Sequence, residues 1–237
     1  MEFVYVVPRE DLFPESTPQG LVPFGPELSC AVFEATVRER GFFVERAHAE
    51  RDPRLKQIIP YSMVLCGERI LLLRRLRKGG ESRLFDKLSI GVGGHVDPID
   101  AEAATGFPSI SSRDGVPRPA GAPRPAGLLA AATRREVEEE LLIDGTWSAR
   151  PVGILNDDSN AVGAVHVGLV QCVQVDGTVA IREKDQLEGE FVSTDELRDR
   201  LAHGADFETW SGLLVAHVDE LLPAPAVSTA RHGISTL

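Results

Sequence analysis

Cysteine is scarce in this chain. Its three cysteines, Cys30, Cys66 and Cys172, are far apart and odd in number. They match neither a zinc spacing nor a disulfide framework. A reducing cytoplasm is therefore the expected compartment. No apolar run approaches the length that spans a bilayer. The N-terminus carries Glu2 and only a short apolar run, without the basic region or cleavage site of a signal peptide. Positive charge is also in short supply: 25 Lys and Arg stand against 36 Asp and Glu, a net charge of −11. That balance argues against general nucleic-acid binding and against docking on anionic lipid. It does not exclude a small anionic substrate, because a bound metal inverts the local field. No clear linker divides the 237 residues, which suit one large domain with extensions.

What is present reads as an ordered series of elements. Residues 3–7 are β-branched and aromatic and predict a strand. A loop punctuated by Pro and Gly follows to Pro26, and residues 30–40 have helical character up to Gly41. Residues 58–66 and 69–76 predict two strands joined at Gly67-Glu68, short enough for an antiparallel hairpin. Residues 78–83 form a polar loop, and 88–96 a third strand ending in glycines. Residues 98–126 repeat Pro, Gly, Ala and Ser, and predict a long surface insertion without regular helix. A helix is expected from Leu128 to near Ile143, with Ala130, Val137 and Leu141 as its core stripe. Residues 152–155, 162–175 and 178–182 predict strands, with a turn at Gly177. Residues 190–192 predict a short strand leading into a helix capped by Ser193 or Thr194. Residues 207–222 predict a final helix. Strands, one helix, more strands and then helices suggest an α+β fold, a mixed sheet covered by helices. The expected division is an N-terminal extension over 1–58, a core over 59–222 with the insertion 98–126, and a tail over 223–237.

The most informative segment is Arg135-Glu136-Val137-Glu138-Glu139-Glu140. At about 100° per residue, Glu136, Glu139 and Glu140 share one helix face, and Glu138 points away. Carboxylates so close repel one another. A hard divalent cation would remove the repulsion and use their oxygens as ligands. Magnesium or manganese is the expected ion. The plain alternative is a solvated face, with Arg134 and Arg135 four residues before Glu138 and Glu139.

These residues, together with the strand ending Ser89-Ile90-Gly91-Val92-Gly93-Gly94-His95-Val96, resemble the Nudix hydrolase family. Its signature is G-x5-E-x7-R-E-U-x-E-E-x-G-U, where U is a bulky aliphatic residue. Residues 135–143 supply its second half, and residues 190–197 resemble the family's late strand-to-helix transition. The resemblance covers roughly residues 59–222. Three departures stand out: Leu142 replaces a glycine, Gly127 replaces the early glutamate, and an insertion of about twenty residues stretches the spacing. In the family that glutamate commonly holds the arginine, and Asp97 and Glu102 are the candidates to replace it. Gln57-Ile58-Ile59-Pro60-Tyr61, residues 88–95 and Asn156-Asp157-Asp158-Ser159 also look like a bacterial branch of predicted phosphoesterases.

The resemblance implies an α/β/α sandwich and a metal-dependent hydrolase acting on a nucleoside diphosphate linked to another group. It implies Glu136, Glu139 and Glu140 as metal ligands, the Gly94 carbonyl as a further ligand, and Arg135 as the residue orienting the loop. Arg74, His95, Asn156 and Asp157 are candidate substrate contacts. Glu183 and Glu188 are candidate general bases. His166, on an apolar strand, reads as a core residue. A homodimer is a mild expectation, and no membrane or nucleic-acid partner is expected. Two other readings stand beside this one. A silent nucleotide-binding module is disfavoured by the three retained glutamates. Isoprenyl diphosphate isomerisation would need Cys66 at the site.

Overall fold

The computed structural model describes residues 1–26, 28–76, 86–105, 127–182, 184 and 186–222. Residues 78–83, most of the expected insertion (106–126), Glu183 and the tail from 223 lie outside them.

The chain runs β1 (Phe3–Pro8), α1 (Arg9–Leu12), β2 (Gly20–Pro23), α2 (Cys30–Arg40), β3 (Phe42–Glu45), α3 (Arg46–Ala49), β4 (Leu55–Cys66) and β5 (Arg69–Arg75). It continues β6 (Leu88–Ser89), β7 (Val92–Gly93), α4 (Pro98–Thr105), α5 (Leu128–Glu140), β8 (Leu141–Asn156) and β9 (His166–Ile181). It ends β10 (Leu187–Val192), α6 (Thr194–Ala202), α7 (Thr209–Ala216) and α8 (Val218–Leu221).

The strand β4 lies in the middle of one ten-stranded sheet whose main path is β10-β5-β4-β9-β8-β2. Ten of its twelve residues are buried, as expected for a strand covered on both faces. β4 pairs parallel to β9 on one side. Its other side is shared by β1 at the start, β7 in the middle and β5 at the end, all antiparallel. The N-terminal segment expected as an extension thus contributes strands to this same sheet.

Strand alternation sends successive residues of β4 to opposite faces. Val64, with Leu71, Val92, Val173 and Val175, packs on Val137 of α5. Ile58 shares that face, where α2 supplies Phe33 and Val37. Tyr61, Met63 and Leu65 face the other way, onto Leu197, Leu214, Val215 and Leu221 of α6, α7 and α8. The result is a helix/sheet/helix sandwich with a mixed sheet.

Several elements differ from the sequence expectation. The third strand breaks in two, because β6 bonds to β5 and β7 to β4. The start of the expected insertion is helical as α4: Asp97 N donates to Asp100 Oδ2 (2.8 Å), and Pro98 opens the helix. The α5 helix stops at Glu140, and its buried residues are Leu129, Ala131, Ala132, Thr133 and Val137, while Ala130 is exposed. Gly177 does not turn the chain. It sits in β9 opposite Gly145 of β8, with φ of 149° and 140°. A Cβ on either would meet backbone at 2.1–2.2 Å across the pair. The final helix breaks at His217, and the loop before Pro26 contains α1 and β2.

Candidate functional site

The α5 helix packs Val137 into the sheet and so turns Arg135, Glu136 and Glu139 toward the segment after β7. Arg135 is the hub. Its Nε and Nη2 bond both oxygens of Asp100 at 2.9 and 3.0 Å. Nη2 also donates to the His95 carbonyl (2.7 Å), and Nη1 to Glu136 (2.6 Å) and Glu139 (3.2 Å). Burial works against the Arg135 charge, but the Asp100 hydrogen bonds and the nearby glutamates outweigh it and raise its pKa.

Asp100, 1% exposed, therefore takes the place assigned to Asp97 or Glu102. The sequence signal was present in Asp97-Pro98-Ile99-Asp100, a helix start whose third residue faces back to the first turn. It was obscured by the compositional bias that follows.

Gly94 lies directly against Glu136. A Cβ on Gly94 would sit 2.6 Å from both carboxylate oxygens, so only glycine permits this approach. Burial pushes the Glu136 carboxyl up to about 7, Arg135 opposes this, and Glu139 and Asp100 add to it. Glu139 keeps 44% of its side chain exposed. Glu140 ends α5, and its carbonyl accepts from Arg182 N (2.8 Å).

Among the described residues, no three His, Cys, Asp or Glu side chains already converge as a metal cage. Arg135 instead spans Glu136 and Glu139. The donor chemistry still fits a hard divalent cation: oxygen donors on Glu136 and Glu139, a glycine packed beside Glu136, and a carboxylate whose lost hydration a cation would replace.

His95 turns its ring from this cluster to His166, with the Nε2 atoms 3.3 Å apart. His166 Nδ1 lies 2.6 Å from the Val162 carbonyl and so donates to it. That leaves His166 Nε2 as acceptor for His95 Nε2–H. Burial first, then Arg46 and the other ring, pull His95 down to about 3. His166 is thus half-buried and bonded at both nitrogens.

Asn156 and Asp157 are buried at the end of β8, and their bonds run elsewhere. Asn156 Nδ2 donates to the Pro18 carbonyl (2.8 Å), and Asp157 Oδ1 accepts from Gln19 (2.6 Å) and Ser159 N (3.1 Å). The neighbouring Asp158 binds Arg9 (2.6 Å) and the fully buried Lys56 (2.7 Å). These contacts fasten the N-terminal segment to the loop after β8.

Arg74 and Glu188 lie opposite each other on β5 and β10 and line a cavity of about 550 Å³. Lys184, Arg200 and Glu190 line it too, over Leu72, Leu73, Leu88, Leu187 and Ile181. Ile181 pairs with Leu141, and the next residue, Arg182, bonds Glu140, so the cavity borders the end of α5.

A mixed sheet between helix layers, with a glutamate-bearing helix held by an arginine to a glycine segment, is a Nudix-like arrangement. No family profile matches the chain. Protein YmaB of Bacillus subtilis (strain 168) is 35% identical over 222 residues, spanning 90% of this chain and 96% of YmaB. The crystal structure of Tm1382, a candidate Nudix hydrolase, superposes with a TM-score of 0.69 at 26% identity, over 93% of this chain and 100% of Tm1382. The chain belongs to the Nudix hydrolase superfamily, and YmaB is a relative along nearly its whole length. Among the described residues no helix is long and apolar enough to cross a membrane.

Proposed function

We propose that the chain is a magnesium- or manganese-dependent hydrolase that cleaves a phosphoanhydride bond in a nucleoside diphosphate linked to another group. One observation carries the reading: Arg135 ties Glu136 and Glu139 to the His95 carbonyl, beside Gly94, where the Glu136 carboxylate fills the space a Cβ would need. Glu136, Glu139, Glu140 and the Gly94 carbonyl are the residues that would hold the ion. When bound, the ion would neutralise phosphate charge and polarise the phosphorus under attack.

The chain's own residues have separate tasks. Arg135, fixed by Asp100, orients the glutamates and the Gly94-His95 turn and does not itself react. The cavity beside Glu140 would take the part of the substrate beyond the phosphates. Arg74 and Lys184 there suit an anionic substrate despite the net charge of −11. Glu188 faces the same cavity and is the general-base candidate that the described residues contain. His95 is engaged with His166, which favours a part in shaping the turn over direct substrate contact.

The test is product release from dinucleotides, nucleotide sugars and nucleoside triphosphates, with and without magnesium or manganese. Glu139→Gln is run in parallel. Metal-dependent turnover that drops at least ~100-fold in the variant supports the reading. No turnover across the panel, with no metal-induced rise in melting temperature, would sink it.

A further inference from the structure

The cluster that the proposed chemistry leaves unused lies on the opposite face of the sheet, where α7 meets the glycine segment. Segment 206–211 is stitched to segment 88–91 first by backbone: Leu88 N donates to the Asp206 carbonyl and Glu208 N to the Leu88 carbonyl, both at 2.9 Å. Side chains then converge on one atom. Glu208 Oε1 accepts from Ser89 Oγ (2.6 Å), from Ser211 Oγ (3.0 Å) and from the Tyr61 hydroxyl.

Counting hydrogens shows what this arrangement does. A carboxylate only accepts, and a serine hydroxyl has a single hydrogen to give. Each serine that donates to Glu208 turns its lone pairs the other way. Ser211 Oγ accordingly accepts from Ile90 N (2.9 Å), and Ser89 Oγ from Gly91 N (3.2 Å). Glu208 therefore fixes, through two hydroxyls, the backbone amides of Ile90 and Gly91. Tyr61 adds a steric stop. A Cβ on Gly91 would lie 2.1 Å from its ring, and its Cα pairs with Gly93 in the sheet. Trp210 packs edge-on against the same ring at 5.4 Å. The next residue after Gly93 is Gly94, where the Glu136 carboxylate occupies the space a Cβ would need. The sequence runs that held Tyr61 and Ser89 thus acquire a shared role.

We infer that Glu208 is a positioning residue for the proposed hydrolase, acting through Ser89, Ser211 and Tyr61 to set the glycine segment that presents Gly94 to Glu136. The inference rests on the hydrolase reading above. It is tested on the full chain with Glu208→Ala, Glu208→Gln and the milder Ser211→Ala. Manganese affinity is read by electron paramagnetic resonance of the free ion, beside kcat, KM, the pH–rate profile and melting temperature. Glu208→Ala is expected to weaken manganese binding and kcat by ~10-fold, the usual size for a residue that orients ligands. KM should change little. Glu208→Gln keeps an acceptor oxygen and should recover to within ~3-fold of wild type with an unshifted pH profile. Ser211→Ala, which keeps the carboxylate, should lie between them.

Wild-type metal affinity and kcat in folded Glu208→Ala would overturn the inference. So would a Glu208→Gln variant as impaired as Glu208→Ala with an altered pH profile, because that pattern marks a direct proton role. If Glu208→Ala does not fold, Ser211→Ala decides: wild-type manganese affinity and kcat in that variant overturn the inference. A wild-type chain that neither binds manganese nor hydrolyses any panel member defeats the hydrolase reading itself, and this inference with it.

Discussion

Asp100 and Arg135 form a two-point pair in which the carboxylate is almost wholly removed from water. Taking away one member leaves the other charged and buried, which typically costs about 3–5 kcal/mol. Asp100→Ala should therefore lower the melting temperature sharply, while Glu102→Ala provides the comparison on the same helix. Equal effects of the two would show that Asp100 does not hold the arginine. Glu136 gives a pH prediction at the same scale. Its carboxyl is raised from 4.5 to about 7 in the fold. Between those values the native chain holds a proton that the unfolded chain has lost. Stability from this group is full below 4.5 and declines as pH rises through 7, by ~3 kcal/mol at most. Magnesium or manganese needs the ionised form, so the melting-temperature gain on adding metal should be larger at pH 8 than at pH 6. A gain independent of pH would remove Glu136 from the ligand set.

Elements were legible in the sequence where a local signal coincided with local contacts. The Ser193 cap is one such case: Glu196 N bonds Ser193 Oγ (3.2 Å), and Ser193 N bonds Glu196 (2.7 Å). Ser193→Ala should cost about 1 kcal/mol in chemical denaturation and leave turnover unchanged. The α5 glutamate face and the β4–β5 hairpin were likewise readable from spacing. The long β8–β9 ribbon was not. Gly145 and Gly177 look like turn residues when read singly, and only their pairing shows that they face each other within two continuous strands. Beyond that pair, Ile143, Val179 and Ile181 pack against the core cluster that holds Val137. Gly145→Ala combines a left-handed φ with a Cβ 2.2 Å from the Asp176 carbonyl. It should destabilise the fold by at least ~1–3 kcal/mol. Because Ile181 lines the cavity next to Glu140, it should also raise KM more than it lowers kcat. An unchanged KM would separate the ribbon from substrate binding.

At the scale of the whole molecule, the contacts invisible in the sequence are those between charged residues far apart along the chain. Lys56 has no exposed surface, yet it sits in a strand next to apolar neighbours. Its amine gives hydrogen bonds to Asp158 (2.7 Å), the Gly163 carbonyl (3.0 Å) and the His166 carbonyl (3.2 Å). Arg9 reaches the same carboxylate and the Ala164 carbonyl at 2.6 Å. Burial pulls the Lys56 pKa down, and Asp158 resists that shift. One carboxylate thus joins the start of the chain, the central strand and the loop that leads into His166. Local sequence offers Arg9 the adjacent Glu10 and Asp11, and Lys56 the nearby Asp52, so nothing in it points to Asp158, 149 and 102 residues away. Asp158→Ala should cost about 3–5 kcal/mol, since it strands a buried ammonium. Lys56→Met removes that charge and fills the space with a similar chain, so it should cost less. The double variant should then be more stable than the sum of the two losses predicts, by at least ~1 kcal/mol in a double-mutant cycle. Strict additivity would mean that the pair does not couple, and that the N-terminal strand is held to the core by β1–β4 pairing and packing alone.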